Sequence, residues 1–230
     1  MFTVGDFLDL YVEKYLFEDL DNMAGLTPKK GKQEGAAGYP IVLTVFAGIE
    51  LLGALVRPAK FDVGDGRKCF RHYWQECMYR PRHRRDIADA IYSLVRNGLA
   101  HGFAVKGSIW VCKNQPNRHL TRDDQGRLWI DACELIRDLK DSYTNHVKPS
   151  VLNKTSVAYM NMQTRFDEMT KEFTTEVANS WRELGSLQQV ASEVGTPVGT
   201  GAAFSNGTSS GNLALNHAVT SSFPTNKGNP

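Results

Sequence analysis

Apolar residues recur every three or four positions over residues 3–20. Val4, Phe7, Leu8, Tyr11, Val12 and Tyr15 make one side, and Asp6, Asp9 and Glu13 the other, which predicts an amphipathic helix. Residues 21–38 interrupt the pattern with Gly25, Pro28, Gly31, Gly35 and Gly38 and read as a loop. Residues 39–57 are apolar almost throughout, with Glu50 in the middle. The run is slightly short for a bilayer span and holds a carboxylate, so a helix buried on several sides is expected rather than a membrane segment. Gly48 and Gly53 would let neighbours approach closely. Glu50 then needs either a cationic partner, for which Arg96 is a candidate, or a place in water at the helix edge.

Pro58 ends that helix, and residues 62–66 form a turn. Residues 67–79 predict a short helix with Phe70, Tyr73, Trp74 and Cys77 inward, followed by a basic, proline-interrupted connector from Tyr79 to Arg85. The stretch from Asp86 to Phe103 reads as a further helix. Ile87, Ile91 and Leu94 define its apolar face, Gly98 falls on the same face, and Gly102 is its stop. The period then changes. Ile109–Cys112 and Leu128–Ile130 are short β-branched and aromatic runs separated by turn formers, which predicts a small hairpin or meander within 103–130. Asp131 and Glu134 give a capping-box-like start to a helix over 132–147, with Leu135, Ile136, Leu139 and Tyr143 inward and Pro149 as its stop. A last long amphipathic pattern covers 156–189 through Met162, Phe166, Met169, Phe173, Val177, Trp181 and Leu184.

The expected fold is therefore mainly α: a helical domain over residues 1–150 with a small β-hairpin insertion, then a long amphipathic helix over 151–190 that packs on it or lies at a dimer interface. Residues 191–230 are rich in Gly, Ser, Thr, Asn and Ala and are expected to be disordered, because they lack the apolar content to offset the entropy of ordering.

Hydrophobic residues make up 41% of the chain and charged residues 23%, which places it among ordinary globular proteins. The net charge of +2 does not by itself demand a nucleic-acid partner, but its distribution is uneven. Six acids crowd residues 1–21 against Lys14, whereas Arg67, Lys68, Arg71, Arg80, Arg82, Arg84 and Arg85 face only Glu76 within 67–85. The four cysteines form no C-x-x-C pair, and Cys69, His72 and Cys77 do not have a convincing ligand spacing. The start of the chain lacks the basic residues of a signal peptide, so a reducing, cytoplasmic setting is expected.

The candidate chemistry lies at the end of the 86–103 helix. Arg96, Asn97 and His101 can all handle phosphate or protons. Asn97 and His101 are four apart and so are neighbours on one side, whereas Arg96 and His101 point about 140° apart in an ideal helix. A break near Gly98, a swung arginine or a second copy of the chain would bring them together.

Arg96-Asn97-Gly98-Leu99-Ala100-His101 resembles the R-x4-H motif of HEPN-superfamily ribonucleases, in which asparagine directly after the arginine is one of the usual choices. The resemblance covers roughly residues 1–150. It implies a HEPN-like helical bundle, a homodimer with facing motifs, and RNA cleavage without metal or cofactor. His101 would act as general base or acid at the ribose 2′-OH, Arg96 would stabilise the transition-state phosphorus, and Asn97 would orient the phosphate or His101. By its charge the basic connector offers Arg80, Arg82, Arg84 and Arg85 either as RNA contacts or as a solvated loop, and Glu50 would support the site. A role in defence or stress response, with a protein antitoxin or regulator as partner, would follow. Where HEPN toxins silenced by nucleotidyltransferases carry a tyrosine two residues after the histidine, this chain has Phe103, which offers no hydroxyl to modify. A catalytically silent module that binds RNA, nucleotide or a protein partner is the alternative, and a purely structural helical dimer the third reading.

Overall fold

The computed structural model describes residues 2–30, 36–60, 62–79, 82–96, 98–99 and 109–194. The first helix starts at a reciprocal cap: the Asp6 N–H donates to the Thr3 hydroxyl at 3.2 Å, and the Thr3 N–H donates to the Asp6 carboxylate at 2.8 Å. Helix α1 (residues 4–25) is continuous through Val4–Phe7, Leu8–Leu16 and Phe17–Gly25. Its middle segment is wound in wide turns, and the Phe17 N–H reaches the Val12 carbonyl five residues back. The wider winding stretches the repeat of the buried face to four, so Val4, Leu8, Val12 and Leu20 are fully buried. Tyr11 and Tyr15, expected inside, are 47% and 56% exposed and form an outer aromatic row with Phe7.

Helix α2 (Gly38–Val56) is the hub. By length and composition it could cross a membrane, but more than half of it is buried inside the protein, from Ile41 to Leu55. It packs against α1 and, further along the chain, against residues 66–73, 109–112 and 132–142. Helix α3 (residues 66–78, through Gly66–Tyr73 and Trp74–Met78) buries Phe70, Tyr73 and Trp74. Phe70 stacks on Trp74 at 5.4 Å, and Phe46 of α2 meets both rings edge-on. The predicted close approach is real at both glycines of α2. A Cβ at Gly53 would stand 2.1 Å from the Cys69 carbonyl oxygen, and one at Gly48 would stand 2.9 Å from Leu16 Cδ2.

The connector folds into the short α4 (Arg82–Arg85), and α5 (residues 88–96) follows. Three strands, β1 (Ile109–Cys112), β2 (Thr121–Arg122) and β3 (Leu128–Asp131), make one sheet in the order β1-β3-β2. The two runs picked out by their composition are neighbours but run parallel, Trp110 opposite Trp129; the hairpin is made by β2 and β3. The two tryptophans stack at 5.5 Å, with the Arg118 guanidinium 4.3 Å from the Trp129 ring and that of Arg127 5.0 Å from Trp110.

Asp131 then caps α6 (residues 132–152), its side chain accepting from the Cys133 and Glu134 N–H groups. Pro149 was expected to stop this helix near 147, yet it continues to Leu152. Tyr143–Val147 is another wide turn, in which the Lys148 N–H reaches back five residues to the Tyr143 carbonyl, and the helix passes on through Pro149, which has no N–H to donate. Helix α7 (Val157–Val194) lays Tyr159, Met162, Phe166 and Met169 into the core, and its Gln163 accepts the Val4 N–H at 2.9 Å. Phe173 and Val177, of the same stripe, are exposed. Helix accounts for 74% of the structure and strand for 6%, which makes the fold mainly α. The described residues up to Leu184 form one compact unit; the tail from 195 onward lies outside the described residues.

Two measurements check this packing. Gly53→Ala should destabilise by about 3 kcal/mol in urea unfolding, because its methyl meets fixed backbone. Gly48→Ala should cost less than about 1 kcal/mol, because Leu16 can turn aside and alanine favours the helix. The second concerns pH. Burial would raise the Glu13 carboxyl, but hydrogen bonds from Lys148 and Tyr143 outweigh it and hold it below its ordinary value of 4.5. That stabilisation is present above the ordinary value and lost as pH falls through the lowered one. Glu13→Gln should therefore reduce Tm at pH 7, and its gap from the wild type should close between about pH 5 and pH 3.

Candidate functional site

Helix α5 enters the core through Ala88, Ile91, Tyr92 and Val95, and beyond it Gly98 and Leu99 are helical and buried. Leu94, expected on the inner face, is 36% exposed, because the last turns of α5 (Tyr92–Arg96) are wound wide and rotate it outward. Arg96 ends this segment. Its Nε donates to Glu50 Oε1 at 2.6 Å and its Nη2 to Glu50 Oε2 at 3.3 Å. Of the two expectations for Glu50, a cationic partner or open water, the structure shows the partner.

The pair is 30% exposed at Arg96 and 17% at Glu50. The hydrogen bonds to Glu50 raise the guanidinium above its ordinary value, against a smaller effect of burial. The Tyr92 ring lies beneath it, 5.7 Å from the guanidinium carbon, and burial together with Glu50 pushes the Tyr92 hydroxyl up. Helix α3 begins directly against this group: a Cβ at Gly66 would be 2.8 Å from Glu50 Oε2 and 3.3 Å from the Tyr92 hydroxyl. Edge-on binding leaves Nη1 with no protein partner among the described residues.

Asn97, His101 and Arg80 lie outside the described residues, as does the side chain of Arg82. Arg84 is placed over the Tyr79 ring, its guanidinium carbon 5.8 Å from the centroid, and its carbonyl accepts from Trp74 Nε1. Arg85 pairs with Glu76 at 2.5 Å. Arg85 also lines a groove of about 610 Å³ together with Arg57, Arg67, Lys68, Arg71 and His72. Sequence reading counted Arg67, Lys68 and Arg71 in a basic block but gave them no role. Their spacing opposite Phe70, Tyr73 and Trp74 was the available signal that they share the outer face of α3.

A second polar group had no sequence signal. His119 is buried, and its Nδ1 accepts the Asp131 N–H at 3.2 Å, so Nε2 carries the proton and donates to Asp138 at 3.1 Å. The Tyr79 hydroxyl donates to the same carboxylate. This trio fastens the β region to α3 and α6. Among the described residues, His, Cys, Asp and Glu side chains form no group of three able to hold a metal ion. Comparison with protein-family models, curated proteins and solved structures finds no match.

The Glu50–Arg96 pair carries a measurable expectation. Glu50→Gln leaves a partly buried guanidinium without its counter-charge and should destabilise by about 1–3 kcal/mol. Arg96→Gln in the same background should add little, giving a coupling of about 1 kcal/mol or more in a double-mutant cycle read by urea unfolding.

Proposed function

We propose that the protein is a metal-independent endoribonuclease of HEPN type acting as a homodimer. The observation that carries the reading is the presentation of Arg96: a guanidinium at the end of a core helix in a mainly helical protein, its plane fixed by the partly buried Glu50 carboxylate and its Nη1 without a partner among the described residues. A preorganised N–H donor of this kind suits the extra negative charge that develops on a phosphodiester during cleavage. The motif supplies the rest of the chemistry. His101 takes the proton from the ribose 2′-OH, the oxygen attacks phosphorus, and the 5′ oxygen leaves with a proton. Asn97 orients the phosphate. Arg96 and His101 diverge on a regular helix, and a two-fold dimer brings one motif to face its copy.

Pairing with Glu50 also favours a second reading. A guanidinium already neutralised by a carboxylate fits a module that binds RNA or nucleotide without turnover.

The test is product analysis on purified protein with RNA in excess EDTA. Cleavage should persist and leave a 2′,3′-cyclic phosphate and a 5′-hydroxyl. Arg96→Ala and His101→Ala should each remove more than about 99% of it, the scale expected of a lost acid–base or charge-stabilising group. RNA that is bound but never cut selects the silent module.

A further inference from the structure

The groove on the outer face of α3 stands apart from Arg96, which does not line it. Its charges are unequal. Arg57 and Lys68 share Asp65, at 2.7 and 2.5 Å. Arg67 and Arg71 share Asp89, at 3.0 and 3.6 Å, and Arg85 holds Glu76. Among the described residues, these five cations meet three carboxylates, so two positive charges are left over. His72 lines the groove as well; burial holds its imidazole below its ordinary value, and the neutral ring keeps one N–H donor.

The pairs are also easily exchanged. Arg67 and Arg71 are each 57% exposed, and ion pairs so wetted contribute about 0–1 kcal/mol, so an incoming phosphate displaces the carboxylate at little cost. The volume lies in the range of small-molecule sites and far exceeds one phosphate group. Pro58 and Ala59 line it too and offer an apolar surface for a sugar or base.

We propose that this groove binds a phosphorylated nucleotide unit, free or within an RNA strand. Arg67, Lys68 and Arg71 take the phosphates, and Asp89 competes with them for the same guanidinium groups. The site is separate from Arg96, and the proposal holds whether or not RNA is cut.

The experiment is titration of the full chain with ATP and, separately, with a fluorescent oligouridylate, over a range of salt. Combined Arg67→Ala and Arg71→Ala should weaken binding at least about tenfold and reduce the salt slope for the oligonucleotide by about 1.4. Asp89→Asn should tighten binding severalfold, a gain that a misfolded variant cannot produce. Arg137→Ala, which removes an exposed arginine paired with Glu134 at 2.8 Å and outside the groove, should change affinity less than about twofold, so that a general loss of positive charge is distinguished from loss of the site. Displacement of the oligonucleotide by ATP assigns the groove to free nucleotides as well; oligonucleotide binding that ATP does not displace assigns it to RNA alone. Absence of binding by both probes at about 1 mM, or affinities unchanged by the groove substitutions, overturns the proposal.

Discussion

Helices α2 and α3 lie as close as they do because residue 53 has no side chain to hold them apart. The Cys69 carbonyl occupies the space where a Cβ would be. Glu50 lies about one turn before Gly53 on the same face of α2, and Gly66 lies one turn before Cys69 on α3. The contact that seats α3 therefore also delivers its first residue to Glu50, and the second glycine leaves room for the carboxylate and the Tyr92 hydroxyl. Once α3 is seated, Phe70 and Trp74 complete the aromatic cluster with Phe46, and Arg67, Lys68 and Arg71 are left facing outward. Core packing, the Arg96 site and the basic groove all follow from one close approach of two helices.

Most of the element order could be read from apolar spacing, because burial is what spacing reports. The amphipathic patterns at 3–20, 39–57, 67–79, 132–147 and 156–189 all correspond to helices. What spacing missed has one recurring cause. An ideal repeat of 3.6 assigns Tyr11, Tyr15 and Leu94 to the core, whereas the wide turns at Leu8–Leu16 and Tyr92–Arg96 move them to the surface. The wide turn before Pro149 likewise carries the helix past a residue that ordinarily ends one. Composition, in turn, identifies strands without their direction, so the parallel pairing of β1 with β3 could not be read from Ile109–Cys112 and Leu128–Ile130.

Of the site, the part visible beforehand was the part that rests on a cost. A carboxylate in an apolar run demands a partner, and Arg96 is the partner. The basic groove was only half visible. Charge density marked the segment 67–85, but which arginines share a surface depends on α3 turning its aromatic face inward, and that is a property of the packed structure. The His119 trio left no trace in the sequence, because its members lie 40 and 59 residues from Tyr79.

The two sets of arginines differ in what they can do for an anion. Arg96 is close to neutral when seen from a distance, since Glu50 sits against it at hydrogen-bond range. It has little long-range pull and, on the function proposed above, would act through the direction of its remaining N–H groups once a phosphate has arrived. The groove cations have the opposite character. Their exposed, shared ion pairs fix no geometry tightly, but their surplus charge acts over about a Debye length, roughly 8–10 Å in physiological salt. Asp89 of the groove and Arg96 lie on the same helix seven residues apart, about two turns or 10 Å along its axis. That separation is within the reach of a bound oligonucleotide. On the proposed readings attraction and alignment would fall to different arginines, and α5 carries both Arg96 and the Asp89 that Arg67 and Arg71 share.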